Sequence, residues 1–452
     1  MASLAGLLLA RGHQVTGSDE QVYPPMSIEL ERMGVPVSSG YRAENLVPRP
    51  DIVVVGNALS RGNAEIEAML NTRLTYTSMA RVLEEEFLRG RRSIVVAGTH
   101  GKTTTASLMA WTLEVAGLRP SFLIGGVAEN FGSSYRLADS EFFVIEGDEY
   151  DTAYFDKGPK FMHYLPEVVL LNVVEFDHGD IYPDLEAVKT AFRRLVNLIP
   201  SRGFLIADFD SEIARQVSRR AFCPVEGFGL GQAAHWRAMT AHMMEAMTEF
   251  TVLRGGEGWG VFRTPLVGDF NLRNCLAVIG AATHLGVSSS VIAQALGTFK
   301  SVKRRMEVLA ETDGITVIDD FAHHPTAVRE TLRALRARYS GRRLIAVYEP
   351  RSQTSRMRVF QQEYSKAFND ATMVILAPLF RSPSHSAGGQ LSVGEIAEEI
   401  KGEGKVALCP HSIDAIVEYL AREAERGDVI VLMSNGAFGG IQKKLLEALA
   451  NR

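Results

Sequence analysis

The stretch AGTHGKTTT, residues 97–105, constrains the fold more than any other part of this sequence. It follows the apolar run SIVV and precedes the helix-like segment ASLMAWTLEVAG. A strand, a glycine-containing turn and a helix in this order form a phosphate-binding loop, because backbone N–H groups at the start of the helix point at phosphate oxygens. In such loops Lys reaches the terminal phosphates and Thr binds Mg²⁺. The stretch therefore predicts a nucleotide-phosphate site on an α/β domain.

Only the second half of the usual loop pattern is present. Gly98, Gly101, Lys102 and Thr103 match it, whereas Val96 stands where the first glycine is expected. The alternative is a glycine-rich turn that opens a helix and binds nothing. A Gly-Lys-Thr-Thr run directly after a strand favours the phosphate loop, because Lys and Thr at these positions supply the charge and the hydroxyl that phosphate and Mg²⁺ need.

Composition limits the partners. The chain has 452 residues, of which 46% are hydrophobic and 22% charged, so two to three domains with full cores are expected. A net charge of −5 gives no general attraction to nucleic acid or acidic membranes. Three distant cysteines, Cys223, Cys275 and Cys409, fit no metal spacing and predict buried thiols in a reducing compartment. The opening MASLAGLLLA lacks a basic leader and predicts a packed helix rather than a signal peptide.

Strand-like and helix-like runs divide the chain into three α/β blocks. Residues 1–90 alternate helix and strand, which predicts a Rossmann-like domain with a parallel sheet. Residues 91–300 contain the phosphate loop and predict a central domain with a mostly parallel sheet. Residues 301–452 begin within a basic segment, KSVKRRME, and then repeat strand and helix five times, which predicts a doubly wound, Rossmann-like C-terminal domain.

An acidic cluster follows one strand of the central block. The segment FFVIEGDEYD places Glu146, Asp148, Glu149 and Asp151 at the end of an apolar run. Carboxylates this close repel one another unless they are solvated or a cation neutralises them, and Mg²⁺ beside a phosphate is a suitable cation. A solvated acidic loop is the alternative, and the phosphate loop in the same block makes it less favoured.

A second polar cluster ends the strand-like run VVLLNVV. It contains Glu175, Asp177 and His178. Imidazole is not a typical Mg²⁺ ligand, so chemistry alone leaves His178 open as a base, a hydrogen-bonding residue or a ligand for a softer metal.

Polar residues also end two successive strands of the C-terminal block. They are Asp319, Asp320, His323 and His324 in VIDDFAHHP, and Glu349, Arg351 and Arg356 in AVYEPRSQTSR. Ligands of doubly wound sheets bind beyond the carboxyl ends of strands, and Arg suits carboxylate or phosphate recognition. Each cluster alone is also typical of a capped turn or a surface ion pair; together they predict a second binding face.

The motifs in this order, GTHGKTTT, EGDEYD, NVVEFDH, GDFNLRN, KRRME and DDFAHHP, resemble the Mur ligases. The resemblance implies a cytoplasmic enzyme that uses ATP and Mg²⁺ to join an amino acid or peptide to UDP-N-acetylmuramate. Within that family the chain looks most like the branch that attaches the tripeptide L-alanyl-γ-D-glutamyl-meso-diaminopimelate in peptidoglycan recycling. The branch that attaches L-alanine is the alternative. A protein of another class, a nucleotide-dependent regulator that hydrolyses ATP slowly without ligation, is the more distant alternative.

The resemblance also implies roles for individual residues. Those implied to bind ATP are Gly98, Thr99, His100, Gly101, Lys102, Thr103, Thr104, Asn274, Arg305 and Asp320. The implied Mg²⁺ ligands are Thr103, Glu146 and His178, and the implied catalytic residues are Lys102, Glu146 and His178. The incoming amino acid or peptide is implied to bind at His323 and Arg351.

Two departures from the family pattern shape the expectations. Several members carry a carbamylated lysine downstream of the metal histidine, but Lys189 is out of step with that position and Phe192 lies near it, so no carbamylation is expected. Family members begin with a strand and a glycine-rich loop that touches the UDP pyrophosphate. This sequence starts within the following helix, so the UDP-substrate domain, residues 1–90, is expected to lack them. No nucleic-acid or membrane partner is expected, and the chain is expected to be a monomer or a weak homo-oligomer.

Overall fold

The computed structural model describes residues 1–22, 26–244, 247–380 and 389–452. The predicted α/β class is confirmed: a large, mostly parallel sheet lies between two smaller α/β units. No helix within these ranges is long and apolar enough to cross a membrane. The cysteine prediction is partly wrong, because Cys409 is exposed while Cys223 and Cys275 are buried.

The N-terminal block contains four short strands in two separate parallel pairs, β1 with β2 and β3 with β4. The strands are β1 (Gly17–Asp19), β2 (Val37–Ser39), β3 (Val53–Val55) and β4 (Tyr76–Ser78). The helices are α1 (Ala2–Ala10), α2 (Met26–Arg32), α3 (Ala64–Asn71) and α4 (Met79–Val82), the last continued by a π-helical turn at Leu83–Leu88. Leu4 and Leu7 of α1 are buried in the same cluster as residues of the central sheet, so this helix packs on the sheet as the sequence predicts.

The central block is built on a ten-stranded sheet in the order β16-β15-β14-β13-β12-β11-β5-β8-β6-β7. Its strands and the hairpin β9–β10 beside it are β5 (Arg92–Ala97), β6 (Ser121–Ala128), β7 (Ser133–Arg136), β8 (Phe142–Gly147), β9 (Asp151–Ala153), β10 (Asp156–Pro159), β11 (Pro166–Leu171), β12 (Phe204–Asp208), β13 (Val225–Gly229), β14 (Trp236–Met244), β15 (Met247–Arg254) and β16 (Glu257–Thr264). Its helices are α5 (Lys102–Val115), α6 (Leu185–Asn197), α7 (Glu212–Ser218), α8 (Asp269–His284) and α9 (Ser289–Gly297). The strands from β13 to β6 are parallel, which brings the carboxyl ends of β5, β8 and β11 to one edge.

Sequence patterns did not reveal the antiparallel extension of this sheet. The glycine-rich segment RGGEGWG, residues 254–260, contains the end of β15, a turn and the start of β16. β14, β15 and β16 form a meander with one face on the core, where Trp236, Phe250 and Phe262 are buried. The glycines, which favour turns, concealed a half-buried strand.

The C-terminal block has a six-stranded sheet in the order β17-β18-β22-β19-β20-β21. The strands are β17 (Glu307–Thr312), β18 (Ile315–Asp320), β19 (Leu344–Tyr348), β20 (Met373–Leu376), β21 (Val406–Leu408) and β22 (Val429–Met433). The helices are α10 (Pro325–Arg338), α11 (Gln361–Ala367), α12 (Val393–Gly402), α13 (Ile413–Glu423) and α14 (Ile441–Ala450). All five predicted strands are present and parallel, and β17 adds an antiparallel edge strand.

Candidate active site

The phosphate loop joins β5 to α5 as predicted, and its backbone requires both glycines. Gly98 and Gly101 have φ angles of 128° and 80°, which side chains disfavour. A Cβ atom at Gly101 would lie 2.5 Å from Oδ1 of Asn274, and one at Gly98 would lie 2.9 Å from Cβ of Asn172. The loop is therefore packed tightly against the end of β11 and the first turns of α8.

The other implied loop residues fix this conformation. The backbone N–H of Thr99 donates to the carbonyl of Val173 at 2.7 Å. Thr104 is buried at the start of α5. Asn274 donates to Oδ1 of Asn271 at 3.1 Å and is buried beneath Gly101. Asn274 therefore packs against the phosphate loop at Gly101.

Lys102 is held by the acidic segment after β8. Its Nζ donates to Oε1 and Oε2 of Glu149 at 3.0 and 2.9 Å, and to the carbonyl of Gly98 at 2.7 Å. Burial favours the neutral amine, but the charge of Glu149, followed by Asp148 and Glu146, outweighs it and raises the pKa of Lys102. Lys102 is therefore a fixed positive charge at the helix N-terminus, as phosphate binding requires.

Thr103 and Glu146 bring oxygen atoms together beside the loop. Thr103 donates its hydroxyl to Oε2 of Glu146 at 3.1 Å, and the backbone N–H of Gly125 donates to Oε1 at 2.5 Å. Burial raises the pKa of Glu146, although the Gly125 N–H and Lys102 oppose the shift. A hydroxyl and a carboxylate in contact form a donor set that suits Mg²⁺.

Arg305 reaches this pair from the C-terminal block. Its guanidinium donates to Oγ1 of Thr103 at 3.1 Å. Asp320, at the end of β18, accepts from the backbone N–H groups of Met306 and Ala322, each at 2.8 Å. Asp320 is buried, which raises its pKa despite the opposing charge of Arg305. Among the described contacts, Asp320 fixes the segment that carries Arg305.

His178 lies at the junction of the central and C-terminal blocks. Its Nε2 lies 3.1 Å from Oε1 of Glu149, and its ring centroid lies 4.2 Å from that of Tyr150. Its backbone N–H, at a positive φ of 56°, donates to Oγ1 of Thr354 at 3.0 Å. Burial lowers the pKa of His178, but the hydrogen bond to Glu149 outweighs burial and raises it. The structure therefore places His178 against Glu149, which also binds Lys102.

A third contact between these blocks involves His100, Glu175 and His324. Nε2 of His100 lies 3.1 Å from Oε2 of Glu175, and Nδ1 of His324 lies 3.7 Å from the same oxygen. The two imidazole centroids are 4.8 Å apart. Burial, and next the charge of His100, lower the pKa of His324 to about 4. His100 thus links the phosphate loop to the start of α10.

His323 and Arg351 do not lie on adjacent strands, because β22 runs between β18 and β19. Nδ1 of His323 lies 3.0 Å from the carbonyl of Phe321, and burial lowers its pKa to about 4. The guanidinium of Arg351 lies 3.8 Å from the centroid of the Phe380 ring, and its NH1 lies 3.6 Å from Oε1 of Glu349. Both residues belong to the carboxyl edge of the C-terminal sheet.

Sequence reasoning singled out Glu149 only as part of the acidic cluster and overlooked Thr354 and Ser434. Ser434, just after β22, donates to Oε2 of Glu349 at 2.5 Å. Its strand position was readable from DVIVLMS, but the topology that inserts β22 between two other strands was not. Lys189 contacts Glu186 on α6, at 2.7 Å, rather than the loop.

A phosphate loop, a hydroxyl–carboxylate pair beside it and an arginine from a second α/β unit define a class of enzymes that act on nucleoside triphosphates. Comparison with known proteins makes this specific. Residues 1–91 match the Mur ligase family, catalytic domain; residues 96–282 match the Mur ligase middle domain; and residues 304–436 match the Mur ligase, glutamate ligase domain. The chain belongs to the Mur ligase family.

Individual relatives are similar in sequence or structure over the whole chain. The UDP-N-acetylmuramate–L-alanyl-γ-D-glutamyl-meso-2,6-diaminoheptandioate ligase of Escherichia coli is 43% identical and covers 100% of this chain and 96% of its own length. The UDP-N-acetylmuramate–L-alanine ligase of Desulforapulum autotrophicum is 30% identical, with 100% and 96% coverage. The crystal structure of a murein peptide ligase from Psychrobacter arcticus matches with a TM-score of 0.75 at 36% identity, covering 100% of this chain and 97% of that one.

Proposed function

We propose that this chain is an ATP-dependent ligase that joins L-alanyl-γ-D-glutamyl-meso-diaminopimelate to UDP-N-acetylmuramate. The observation that carries the proposal is the 43% identity, over the full chain, to a relative whose name states that reaction. The alanine-adding relative is less similar, at 30%. The partly buried contacts of Lys102, Thr103 and Glu146 support a phosphoryl-transfer site. We further propose that the enzyme acts in the cytoplasm as a monomer or a weak homo-oligomer.

Amide formation from a carboxylate and an amine requires activation of the carboxylate, and the residues of the phosphate loop assist this step. A carboxylate is a poor electrophile, so the muramyl carboxylate first takes the γ-phosphoryl group of ATP, giving an acyl phosphate and ADP. The peptide's α-amine then attacks the acyl carbon, and phosphate leaves as the amide forms. Lys102 offsets the negative charge that builds up on the transferred phosphoryl group. Arg305, held by the segment that Asp320 fixes, adds a second positive charge from the C-terminal block.

Thr103, Glu146 and His178 are the residues that we propose to hold Mg²⁺. The contact between the Thr103 hydroxyl and the Glu146 carboxylate fits a hard, oxygen-preferring cation. His178 contacts Glu149, whose carboxylate also accepts from Lys102, and it therefore lies beside the phosphate loop. When bound, the ion neutralises phosphate charge.

Replacing Glu146 or His178 with alanine is expected to raise the Mg²⁺ concentration needed for half-maximal rate by about tenfold, since losing a ligand worth ~1.4 kcal/mol has that effect. The measurement is the ligation rate as a function of Mg²⁺ at saturating substrates. Glu447, on α14, is a suitable control because its side chain is 62% exposed. A His178→Ala enzyme with the Mg²⁺ dependence of the wild type would indicate a structural histidine instead.

Two assays test the proposed function itself. In the first, phosphate release is measured with ATP alone and after adding UDP-N-acetylmuramate, the tripeptide or both. A ligase needs both the carboxylate and the amine, whereas a slow regulatory ATPase releases phosphate without them. In the second, equal concentrations of L-alanine and tripeptide compete, and the products are compared by mass. A predominant alanine adduct would replace the proposal with the alanine-adding activity.

A further inference from the structure

The hairpin β9–β10 begins only two residues after Glu149 and carries two aromatic residues at its tip. Tyr154 and Phe155 form the two-residue turn between Ala153 and Asp156. Two-residue hairpin turns favour Asn, Asp and Gly, because these tolerate the turn's backbone angles. Two adjacent aromatic side chains are therefore not explained by the turn, and their contacts must be considered.

The tip contacts the N-terminal block. The Phe155 ring lies 5.0 Å from that of Tyr76 on β4, at an interplanar angle of 72°, the edge-to-face arrangement that aromatic pairs favour. Tyr154 packs against a small buried cluster of β3, α3 and the segment before β4, formed by Val55, Ile66, Met69 and Leu74. Among the described residues of that cluster and its rim, Tyr154 alone comes from outside the N-terminal block. The hairpin thus completes a core that belongs to another unit.

The base of the hairpin contacts the active site. The ring of Tyr150 lies 4.2 Å from that of His178, and the preceding Glu149 binds Lys102. After the hairpin, Lys160 donates to Oδ2 of Asp148 at 2.7 Å. These contacts fix both ends of the hairpin beside the phosphate loop.

A further link runs along one side of the hairpin. Nε2 of His163 lies 2.8 Å from Oδ2 of Asp156, and its Nδ1 lies 3.3 Å from Oε2 of Glu84 in the π-helical turn. The same short segment is therefore fixed both to the N-terminal block and to the residues that hold Lys102.

We infer that the β9–β10 hairpin positions the N-terminal block relative to the phosphate loop, with Tyr154 and Phe155 as its positioning residues. The inference rests on the proposed function and on the expectation, implied by the family resemblance, that residues 1–90 bind UDP-N-acetylmuramate. The sugar nucleotide must present its carboxylate to the γ-phosphate of ATP, which lies at the other block. If the tip of the hairpin lost its aromatic contacts, the ATP site would stay intact, but the bound sugar nucleotide would be misplaced relative to it.

The test compares Tyr154→Ala with Tyr154→Phe and with Lys157→Ala, a hairpin control whose side chain is 69% exposed. Tyr154→Ala is expected to raise the KM for UDP-N-acetylmuramate about five- to tenfold, the range that loss of an aromatic contact gives. The KM for ATP should stay within about twofold, and Tyr154→Phe should behave as the wild type because the ring makes the contact. An unchanged KM for UDP-N-acetylmuramate, or an equal rise for ATP, would overturn the inference.

Amide hydrogen exchange provides a readout that does not depend on ligation. Tyr154→Ala is expected to accelerate exchange in residues 53–78 while residues 92–97 remain protected. Unchanged exchange in residues 53–78 of Tyr154→Ala would overturn the inference. Absence of ligation by the wild-type chain would instead refute the proposed function, so the two failures are distinguishable. Should Tyr154→Ala fail to fold, Phe155→Ala serves the same comparison, because the Phe155 residue is already 40% exposed.

Discussion

Replacing Lys102 with alanine is expected to lower the ligation rate by about 10³-fold, the effect of losing ~4 kcal/mol of transition-state stabilisation. The physical reason is that its ammonium group is fixed at the start of α5, where the transferred phosphoryl group accumulates charge. The rate is measured from amide product at saturating substrates. Lys443→Ala, at a side chain that is 83% exposed, is the matched control and should retain full activity.

The same substitution removes the main partner of Glu149, which is only 3% exposed. A buried charge that loses its partner costs about 3 kcal/mol of stability or more, so Lys102→Ala should unfold at a lower temperature. The double variant Lys102→Ala/Glu149→Gln removes the carboxylate charge that has lost its lysine partner and should regain part of the stability without regaining activity. Wild-type activity in a folded Lys102→Ala protein would contradict the assignment of the phosphate loop.

Replacing Arg351 with alanine is expected to reduce use of the tripeptide about ten- to a hundredfold and to leave use of L-alanine unchanged. The attacking α-amine is that of an L-alanine residue in both the tripeptide and the free amino acid. Discrimination must therefore come from the additional carboxylates that only the tripeptide carries. A charge-assisted contact between Arg and a carboxylate is worth ~1.5–3 kcal/mol, which corresponds to that range. Its guanidinium is restrained by Phe380 and Glu349, so little side-chain entropy remains to be lost when a carboxylate binds.

The measurement is the ratio of tripeptide to alanine adducts, by mass, at equal concentrations of the two amines. Arg358→Ala is the control, because Arg358 lies seven residues further along, pairs with Glu395 and is 49% exposed. An unchanged ratio in Arg351→Ala would show that the tripeptide's carboxylates are recognised elsewhere. Equal losses with both amines would assign Arg351 to the fold of the loop rather than to selectivity.

Local patterns were sufficient to predict most of the fold. The phosphate loop and the five parallel strands of the C-terminal block are properties of short segments, and they were predicted where the structure has them. The meander β14–β16 and the edge strand β17 were not, because their stability comes from neighbouring strands and from burial on one face. The order β18-β22-β19 depends on pairing between residues more than 80 positions apart, which no local pattern records.

For the site, the sequence indicated which residue types are present but not which residues contact one another. The acidic cluster was recognised, yet nothing in EGDEYD distinguishes Glu149, which binds Lys102, from Asp148, which binds Lys160. Likewise, Arg305 was expected to reach ATP from the third domain, while its hydrogen bond to Thr103 depends on how the two domains pack. Such contacts between distant segments are set by tertiary structure alone.

The hydrogen bond from Arg305 to Thr103 and that from His178 to Thr354 both cross from the central block to the C-terminal block. If the gene were split between codons 299 and 304, each polypeptide would carry part of the proposed catalytic centre. Neither half would be expected to turn over substrate by itself, and mixing them would restore activity only as the halves reassociate. The ligation rate of the mixed fragments would therefore measure how far they have reassembled, and it would rise with the concentration of both halves.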